Sequence, residues 1–452
     1  METVDVVLLY EHVARELDVL CAVKYLCETR HHLRVEIVQQ PYGVAQALQR
    51  YRPRIVALPF CYADSLSHYP LLLDWPKATY FNLAWEEIFY SGNREAKLPK
   101  GEFASRHVLH HAWGDFFAEL LQECGVPPEH IFLNGQPAYM LYQSPYSAYF
   151  PTRLELAHKY GLDPARRWIF IPENYAWAFY APWKLDAFER DGLQRDHIDT
   201  MVRFCRDSLT TMLQWCAQLA ARYPVEVIIR PRPAVPLEEF QAFAAAVIPQ
   251  APAGLHFTKS ESVREWILAS QVVLSSYSTS LIEAAVAGKE TYIFEPYPIP
   301  SVLQTEWQTH LSHLTTSAAF ERACTHSQPP SGGDLSAWTR GRLLAHGDPI
   351  ARLAQLLADV RRGVFQAPPP LQPASLFAPS LTSQNAPLEF ERARRSGHAA
   401  RRTPNPDISP LYENDLVSRD DVDLRVRRWA QVLGGSAPKA THAWPFTWGR
   451  AR

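Results

Sequence analysis

The chain has 452 residues, 47% of them hydrophobic, which suffices for two to three domains with substantial cores. Its formal net charge is −2, from 45 basic and 47 acidic residues, so no basic excess points to nucleic acid. Seven scattered cysteines, with no CxxC pair, argue against a zinc site and for reduced thiols in a cytoplasmic protein.

No run of about 18 apolar residues occurs, so no bilayer-spanning helix is expected. The N-terminus, METVDVVLLYEH, enters a strand at once and carries two acids, unlike a signal peptide. Aromatic content is 12%, with 13 Trp, which serves cores and sugar-stacking sites equally well.

The elements alternate from the start. Val4 to Tyr10 is a continuous apolar run suited to a parallel strand, and Glu11 to Thr29 is helical, with apolar residues at Val13, Leu17, Leu20, Val23 and Leu26. A strand Arg34 to Gln39, a helix Val44 to Tyr51 and a strand Ile55 to Phe60 follow. Further strands are expected at Thr79 to Leu83, His107 to His111 and Ile131 to Asn134, with a helix Trp113 to Cys124. This β-α-β series implies a doubly wound parallel sheet. Tyr139 to Arg167 reads as a connection.

A second series begins with the strand Trp168 to Pro172 and the long helix Asp196 to Arg222. Strand Val225 to Arg230, helix Leu237 to Val247, strand Leu255 to Thr258 and helix Ser262 to Ser270 come next. Asp348 to Gly363 is a helix with Pro near its start and Gly at its end. Gln366 to Pro387 is rich in Pro and Ser, followed by a basic run, Glu391 to Arg402, that reads as a solvated segment. Ser418 to Leu433 suits one last amphipathic helix, and Trp444, Phe446 and Trp448 are apolar anchors. The expected fold class is α/β. Two Rossmann-like sheets, 1–150 and 151–365, face across a cleft, and 366–452 is an extension.

The most informative stretch is QVVLSSYSTSLIEAAVAGKETYIFEP, from Gln271 to Pro296. It reads as a short strand, the turn Ser275-Ser276-Tyr277-Ser278-Thr279-Ser280, a helix Leu281 to Ala287 stopped by Gly288, and a strand Thr291 to Phe294. Free N–H groups, hydroxyl donors and the positive end of a helix dipole at one point suit a phosphate. Glu283, one turn inside, is placed to accept from a ribose diol. One hydroxyl would cap a helix without any ligand, but five Ser and Thr in six residues exceed that need.

Other candidates sit at strand ends, where open α/β sheets bind ligands. Arg230 and Arg232, in RPRP, are stiffened by proline and suit an anion; a surface ion pair with Glu238 or Glu239 is the alternative. Glu173 follows the first strand of the second series and suits proton transfer or nucleophilic attack, with Asn174 beside it. A capping acid is the equal alternative for Glu173. Asp186, Asp191 and Asp196 are weaker candidates. In the first half, Glu11 and Arg15 follow the first strand. Trp85 and Glu86 pair an aromatic with an acid, as a sugar platform would, although core packing explains Trp85 as well. His110 and His111 point to opposite faces of a strand, so they cannot share a metal, but His111 can line the cleft. No metal constellation is evident.

Several pieces in order resemble a known group: Arg15 to Asp18, NLAWEE (Asn82 to Glu87), VLHHAWGDFF (Val108 to Phe117), IFLNGQP (Ile131 to Pro137), FIPENYAWAFY (Phe170 to Tyr180), IIRPRP (Ile228 to Pro233) and SSYSTSLIEAAVAGK (Ser275 to Lys289). Over roughly residues 1 to 300 the chain resembles bacterial surface-carbohydrate biosynthesis proteins, which are similar to glycosyltransferases of the two-Rossmann GT-B type. The hydroxyl turn also resembles the donor turn of CDP-glycerol transferases. The resemblance implies a metal-independent transferase without a cofactor. It would take a nucleotide sugar and a glycan or lipid-linked acceptor, with the acceptor on the first half and the donor on the second. It leans to a CMP-linked ulosonic acid. Transferases using such donors carry His-Pro where this chain has Arg230-Pro231-Arg232-Pro233, and arginine cannot act as a general acid near neutral pH.

On this reading Glu173 and Arg232 are the catalytic candidates. Donor binding falls to Arg230, Arg232, Ser275, Ser276, Ser278, Thr279, Ser280 and Glu283. The rest of the substrate contacts Glu11, Arg15, Trp85, Glu86, His111 and Asn174. Peripheral contact with the inner membrane and homo-oligomer formation stay open. So do three rivals: a glycerophosphotransferase, a sugar-nucleotide epimerase and a non-catalytic scaffold.

Overall fold

The structure, a computed structural model, describes residues 1–63, 68–90, 93–326, 333–344, 346–371 and 417–434. The basic run Glu391 to Arg402, most of the Pro-rich segment and Trp444, Phe446 and Trp448 lie outside the described residues.

Among the described residues twelve strands form two sheets. The first holds β1 (Glu2–Tyr10), β2 (Val35–Gln39), β3 (Tyr51–Leu58), β4 (Thr79–Asn82), β5 (Val108–Ala112) and β6 (Ile131–Leu133), in the order β2-β1-β3-β4-β5-β6. The second holds β7 (Arg167–Pro172), β8 (Val225–Arg230), β9 (Leu255–Phe257), β10 (Val272–Ser275), β11 (Glu290–Phe294) and β12 (His313–Leu314), in the order β12-β11-β10-β7-β8-β9. Every pairing is parallel. Helices cover both faces, so the central strands read as continuous Val, Ile and Leu runs rather than alternating ones. The expected pair of doubly wound sheets is the observed architecture.

Boundaries differ where main-chain pairing outruns side-chain pattern. β3 was expected to begin at Ile55, the first residue of its apolar run. It begins at Tyr51, because Tyr51, Arg52 and Pro53 already lie in register with Glu2, Thr3 and Val4. The first helix was expected as one piece from Glu11. It opens as a π-helical turn, Val13–Leu17, before the α-helix Asp18–His31. That turn puts the carboxylate of Glu16 fully inside, a wide turn of the kind often found at functional sites. The helices Arg153–Tyr160, Pro182–Arg190, Ser317–Thr325 and Gly333–Leu343, with strand β12, were not expected.

One assignment to a domain changes. The helix Pro349–Arg362 was placed in the second domain by its order in the chain. Its buried residues Ile350, Leu353, Ala354 and Leu357 belong instead to the core that contains Val6 and Ile55 of the first sheet and Leu20 of the helix Asp18–His31. The expected last helix, Arg419–Leu433, joins the same core through Val422 and Trp429. The chain therefore crosses to the second sheet near residue 150 and returns near residue 345. The two crossings lie side by side: the Gln136 amide donates to the Leu343 carbonyl at 2.8 Å, and Asn134 Nδ2 donates to the Pro349 carbonyl at 2.9 Å. The approach is tight at Gly114, where an added Cβ would stand 1.9 Å from the Arg342 carbonyl oxygen.

Asp18, buried at the start of the helix after β1, ties four parts together. It accepts from Arg425 of the last helix, from Tyr149 Oη of the connection at 3.2 Å, and faces Arg264 of the second domain at 3.6 Å. Trp429 Nε1 donates to its main-chain carbonyl at 2.8 Å and stacks on Tyr149 with ring centres 4.1 Å apart. Removing the carboxylate strands a buried guanidinium. We expect Asp18→Ala to cost about 3–5 kcal/mol, read as a lowered midpoint in urea. A midpoint within error of the parent would refute the role of this group.

Candidate functional site

In the second sheet β7 runs between β8 and β10, and the strand order reverses between β7 and β10. Ligands of open α/β sheets bind at the carboxyl ends of strands on either side of such a reversal. Those ends carry Glu173 and Asn174 after β7, Arg232 after β8, and Ser276 to Ser280 after β10.

Glu173 is 3% exposed. One carboxylate oxygen accepts from the Tyr175 amide and the other from the Arg232 amide at 3.3 Å. Burial pushes its carboxyl up to about 7, with the two amides and the Arg232 charge pulling the other way. Arg232 itself is exposed. Its charge acts on Tyr90 of the first domain and on Tyr180 and Lys184 of the segment after β7. Arg230 behaves differently from its neighbour. It is buried, and its Nε donates to the Glu261 carbonyl at 3.0 Å. A strand residue two positions away lies on the same face, but Arg232 is past the strand end, so the pair does not act as one anion clamp.

The hydroxyl turn is split. Ser275 is inside, donating to the Pro172 carbonyl at 2.7 Å, and Ser276 is also inside. Both belong to the core side of the turn, contrary to their expected role in gripping phosphate. Ser278, Thr279 and Ser280 are half-buried. Ser278 Oγ bonds Ser280 Oγ at 3.1 Å and accepts the Ser280 amide at 3.3 Å. Asn174, turned so that its carboxamide oxygen faces the turn, accepts the amides of Tyr277 at 3.2 Å and Ser278 at 3.1 Å. Asn174 is therefore a buried brace rather than an open contact. The helix that follows, Ser280–Val286, is short. Glu283 accepts a hydrogen bond from Tyr142, which packs in the core of the second sheet. Burial raises its carboxyl, opposed by the Arg264 charge and the Tyr142 hydroxyl.

The first domain meets this edge directly. Tyr90 Oη donates to the Tyr277 carbonyl at 2.7 Å, and Tyr277 Oη donates to the Asn174 carbonyl at 2.5 Å. Past β1 and β4 lies a charge cluster. Arg15 bonds Glu86 at 2.6 Å, Glu11 at 2.9 Å and Glu16 at 2.5 Å, and Lys97 also bonds Glu86. Burial alone would lower Arg15, but Glu16, Glu86 and Glu11 raise it overall. Burial alone would raise Glu86, but Arg15 and Lys97 lower it, so Glu86 is ionised at neutral pH. Glu11, Arg15 and Glu86 thus stand together, as their strand-end positions implied. Lys97, which completes the cluster, had no motif to reveal it.

Two first-domain expectations fail. Trp85 is packed in the core and offers no sugar platform. His111 is also inside, with Nδ1 3.1 Å from the Leu83 carbonyl and Nε2 held by Asn134 at 3.0 Å. Burial pushes it down to about 3, leaving a neutral packing residue. Their strand-end positions were right; side-chain direction turned them inward. Asp186, Asp191 and Asp196 are exposed. Among the described residues no group of His, Cys, Asp and Glu is arranged to hold a metal. No helix there is long and apolar enough to cross a membrane.

Two parallel six-stranded sheets with their carboxyl edges in contact define a GT-B-like fold. No protein-family model matches the chain, and no curated protein matches it. Among solved structures, a UDP-N-acetylglucosamine 2-epimerase is similar at TM-score 0.51 and 11% identity, over 82% of this chain and 99% of that one. S. aureus MnaA in complex with UDP is similar at 0.49 and 10%, over 82% and 99%. The wall teichoic acid polymerase TagF is similar at 0.47 and 11%, over 80% and 89%. The fold assignment rests on the first of these, and at such identity it extends to the fold alone.

Glu173 offers a direct check on the site's electrostatics. Its ordinary value is 4.5 and its folded value about 7. The folded chain therefore keeps a proton that the unfolded chain has released. The stability this contributes is full below pH 4.5 and is lost as pH rises through 7. Relative to Glu173→Gln, the parent should lose on the order of 3 kcal/mol over that range, at about 1.4 kcal/mol for each pH unit separating the two values. Denaturation of both proteins across pH measures this, and a flat difference would refute the raised carboxyl.

Proposed function

We propose that the chain is a GT-B-type glycosyltransferase of bacterial surface-polysaccharide assembly. It moves a sugar from a nucleotide donor onto a glycan or lipid-linked acceptor. One observation carries the reading: an exposed cation, Arg232, and a buried carboxyl, Glu173, held by the Arg232 amide, share one strand edge that touches the first domain at Tyr90.

In this reading Arg232 meets the charged end of the donor. Ser278, Thr279 and Ser280 add hydroxyls from the half-buried side of the turn, while Ser275, Ser276 and Asn174 hold that turn in shape. Arg230 serves the backbone around Glu261. Glu283 receives the ribose only after Tyr142 lets it go. The rate gain comes from positioning the two substrates and neutralising the leaving phosphate. Each oxygen of Glu173 accepts one amide, which leaves capacity for an acceptor hydroxyl, and a pKa near 7 suits proton transfer at neutral pH. The cluster of Glu11, Arg15 and Glu86 fronts the acceptor side. No cofactor is required. The sequence resemblance favours a CMP-linked ulosonic acid as donor.

A thermal-shift panel of CMP, CDP, UDP and GDP tests this. At a hundredfold excess over its Kd the right nucleotide should stabilise by about 2.7 kcal/mol. Arg232→Ala should abolish that shift. Glu173→Gln should keep the shift and lose at least a hundredfold in turnover. Full turnover in the Gln variant removes Glu173 from the chemistry. Donor turnover without any acceptor replaces the transferase with an epimerase, and no nucleotide shift at all leaves a scaffold.

A further inference from the structure

A second recess opens beside this crevice. It is a cavity of about 240 Å³ in the seam between the domains, below the roughly 300–1,000 Å³ of drug-sized sites and on the scale of one sugar ring. The segments after β4 and β5 form one wall; the segment after β11 and the helix Gly333–Leu343 form the other. It is built at the carboxyl edges of both sheets, like the donor site. Tyr90 lines it and also donates to the Tyr277 carbonyl, and Tyr277 in turn donates to the Asn174 carbonyl, so two tyrosines link it to the segment after β7.

Its chemistry has three parts. Aromatic faces come from Phe116, Trp307 and Trp338. Phe116 is 40% exposed, so its ring is open to a ligand in the recess. Two guanidinium groups flank that ring, Arg94 at 5.9 Å and Arg342 at 4.7 Å. Arg342 has one acid, Glu306, at 3.5 Å, and Arg94 makes no ion pair among the described residues. Positive charge is therefore in excess at the mouth. The third part is unmet hydrogen bonding. Glu87 Oε2 accepts the Trp113 amide at 2.7 Å, and among the described residues Glu87 Oε1 and Trp307 Nε1 are buried without a hydrogen-bond partner. Burial raises the Glu87 carboxyl well above its ordinary range, opposed by the Trp113 amide.

We propose that this cavity receives the terminal ring of the acceptor, a pyranose carrying an anionic group, carboxylate or phosphate. The apolar face of the ring stacks on Phe116 and Trp338, and the anion meets Arg94 and Arg342. The proposal deepens the transferase reading and rests on it for the word acceptor; the binding site itself does not.

Saturation-transfer NMR on the full chain with glucuronic acid, glucose 6-phosphate and glucose tests it. Signal should pass to one or both acidic sugars and be several-fold weaker for glucose. Which acidic sugar responds tells carboxylate from phosphate. Arg94→Ala and Phe116→Ala, both at exposed positions, should each lose most of that signal, with the nucleotide-induced thermal shift unchanged. Equal signal from glucose, or acidic-sugar signal that survives both variants, overturns the proposal. Signal lost in Arg232→Ala but kept in Arg94→Ala also overturns it, by placing the sugar in the donor crevice. Sugar binding that follows the two variants, in a protein that shifts with no nucleotide, upholds the cavity and sinks the transferase reading.

Discussion

A buried acid links the two domains to each other and to the C-terminal helix. Asp18 sits where the first helix leaves its π-helical turn, and cationic groups from the second domain and the C-terminal helix converge on it. Arg264 is buried beside it and also lies over Tyr142 and Phe150, at 5.6 and 5.3 Å. A buried ion pair adds little net stability over a well-packed apolar pair, because desolvation cancels much of the attraction. What it supplies is geometry. An unpaired charge inside is so costly that the domains are held to arrangements that keep Asp18 and Arg264 together. The same helix of Arg264 leads into the β10 turn, so the seam and the crevice are set by one constraint.

That constraint explains the shape of the chemistry. The second domain offers Arg232 in the open and Glu173 buried, the latter held by the Tyr175 amide after β7 and the Arg232 amide after β8. The first domain offers Tyr90 and the Arg15–Glu86–Lys97 cluster. Tyr90 reaches across to the β10 turn, while Tyr142, packed in the core of the second sheet, holds Glu283. The aromatic cavity shares the Tyr90 wall.

Much of the architecture was legible. Parallel strands buried on both faces need largely apolar runs, and those runs stood out at Val6 to Tyr10, Val227 to Ile229 and Val272 to Leu274. The charged neighbours of β1 and β4 were legible too, because a residue just past a parallel strand must lie on the ligand-binding edge. What was not legible was direction. Trp85, His111, Ser275 and Ser276 occupy the right edge and point into the core. Near a strand end, a shift of one residue decides between crevice and interior, and no pattern in the chain records that shift. Arg230 illustrates the same limit: it ends a buried strand, whereas Arg232, two residues on, is free of it.

Composition, periodicity and strand-end chemistry therefore determined the fold class, the number of sheets and the edge where polar groups gather. These are local properties, set by which residues are apolar and at what spacing. Tertiary structure alone decided three things: the return of the helix Pro349–Arg362 to the first core, the division of the hydroxyl turn into an inner and an outer side, and the joining of Phe116 to Trp338 and Arg342 in one cavity. Each depends on contacts between residues some 200 positions apart or on the rotation of a single side chain, and neither leaves a trace in the local order of residues.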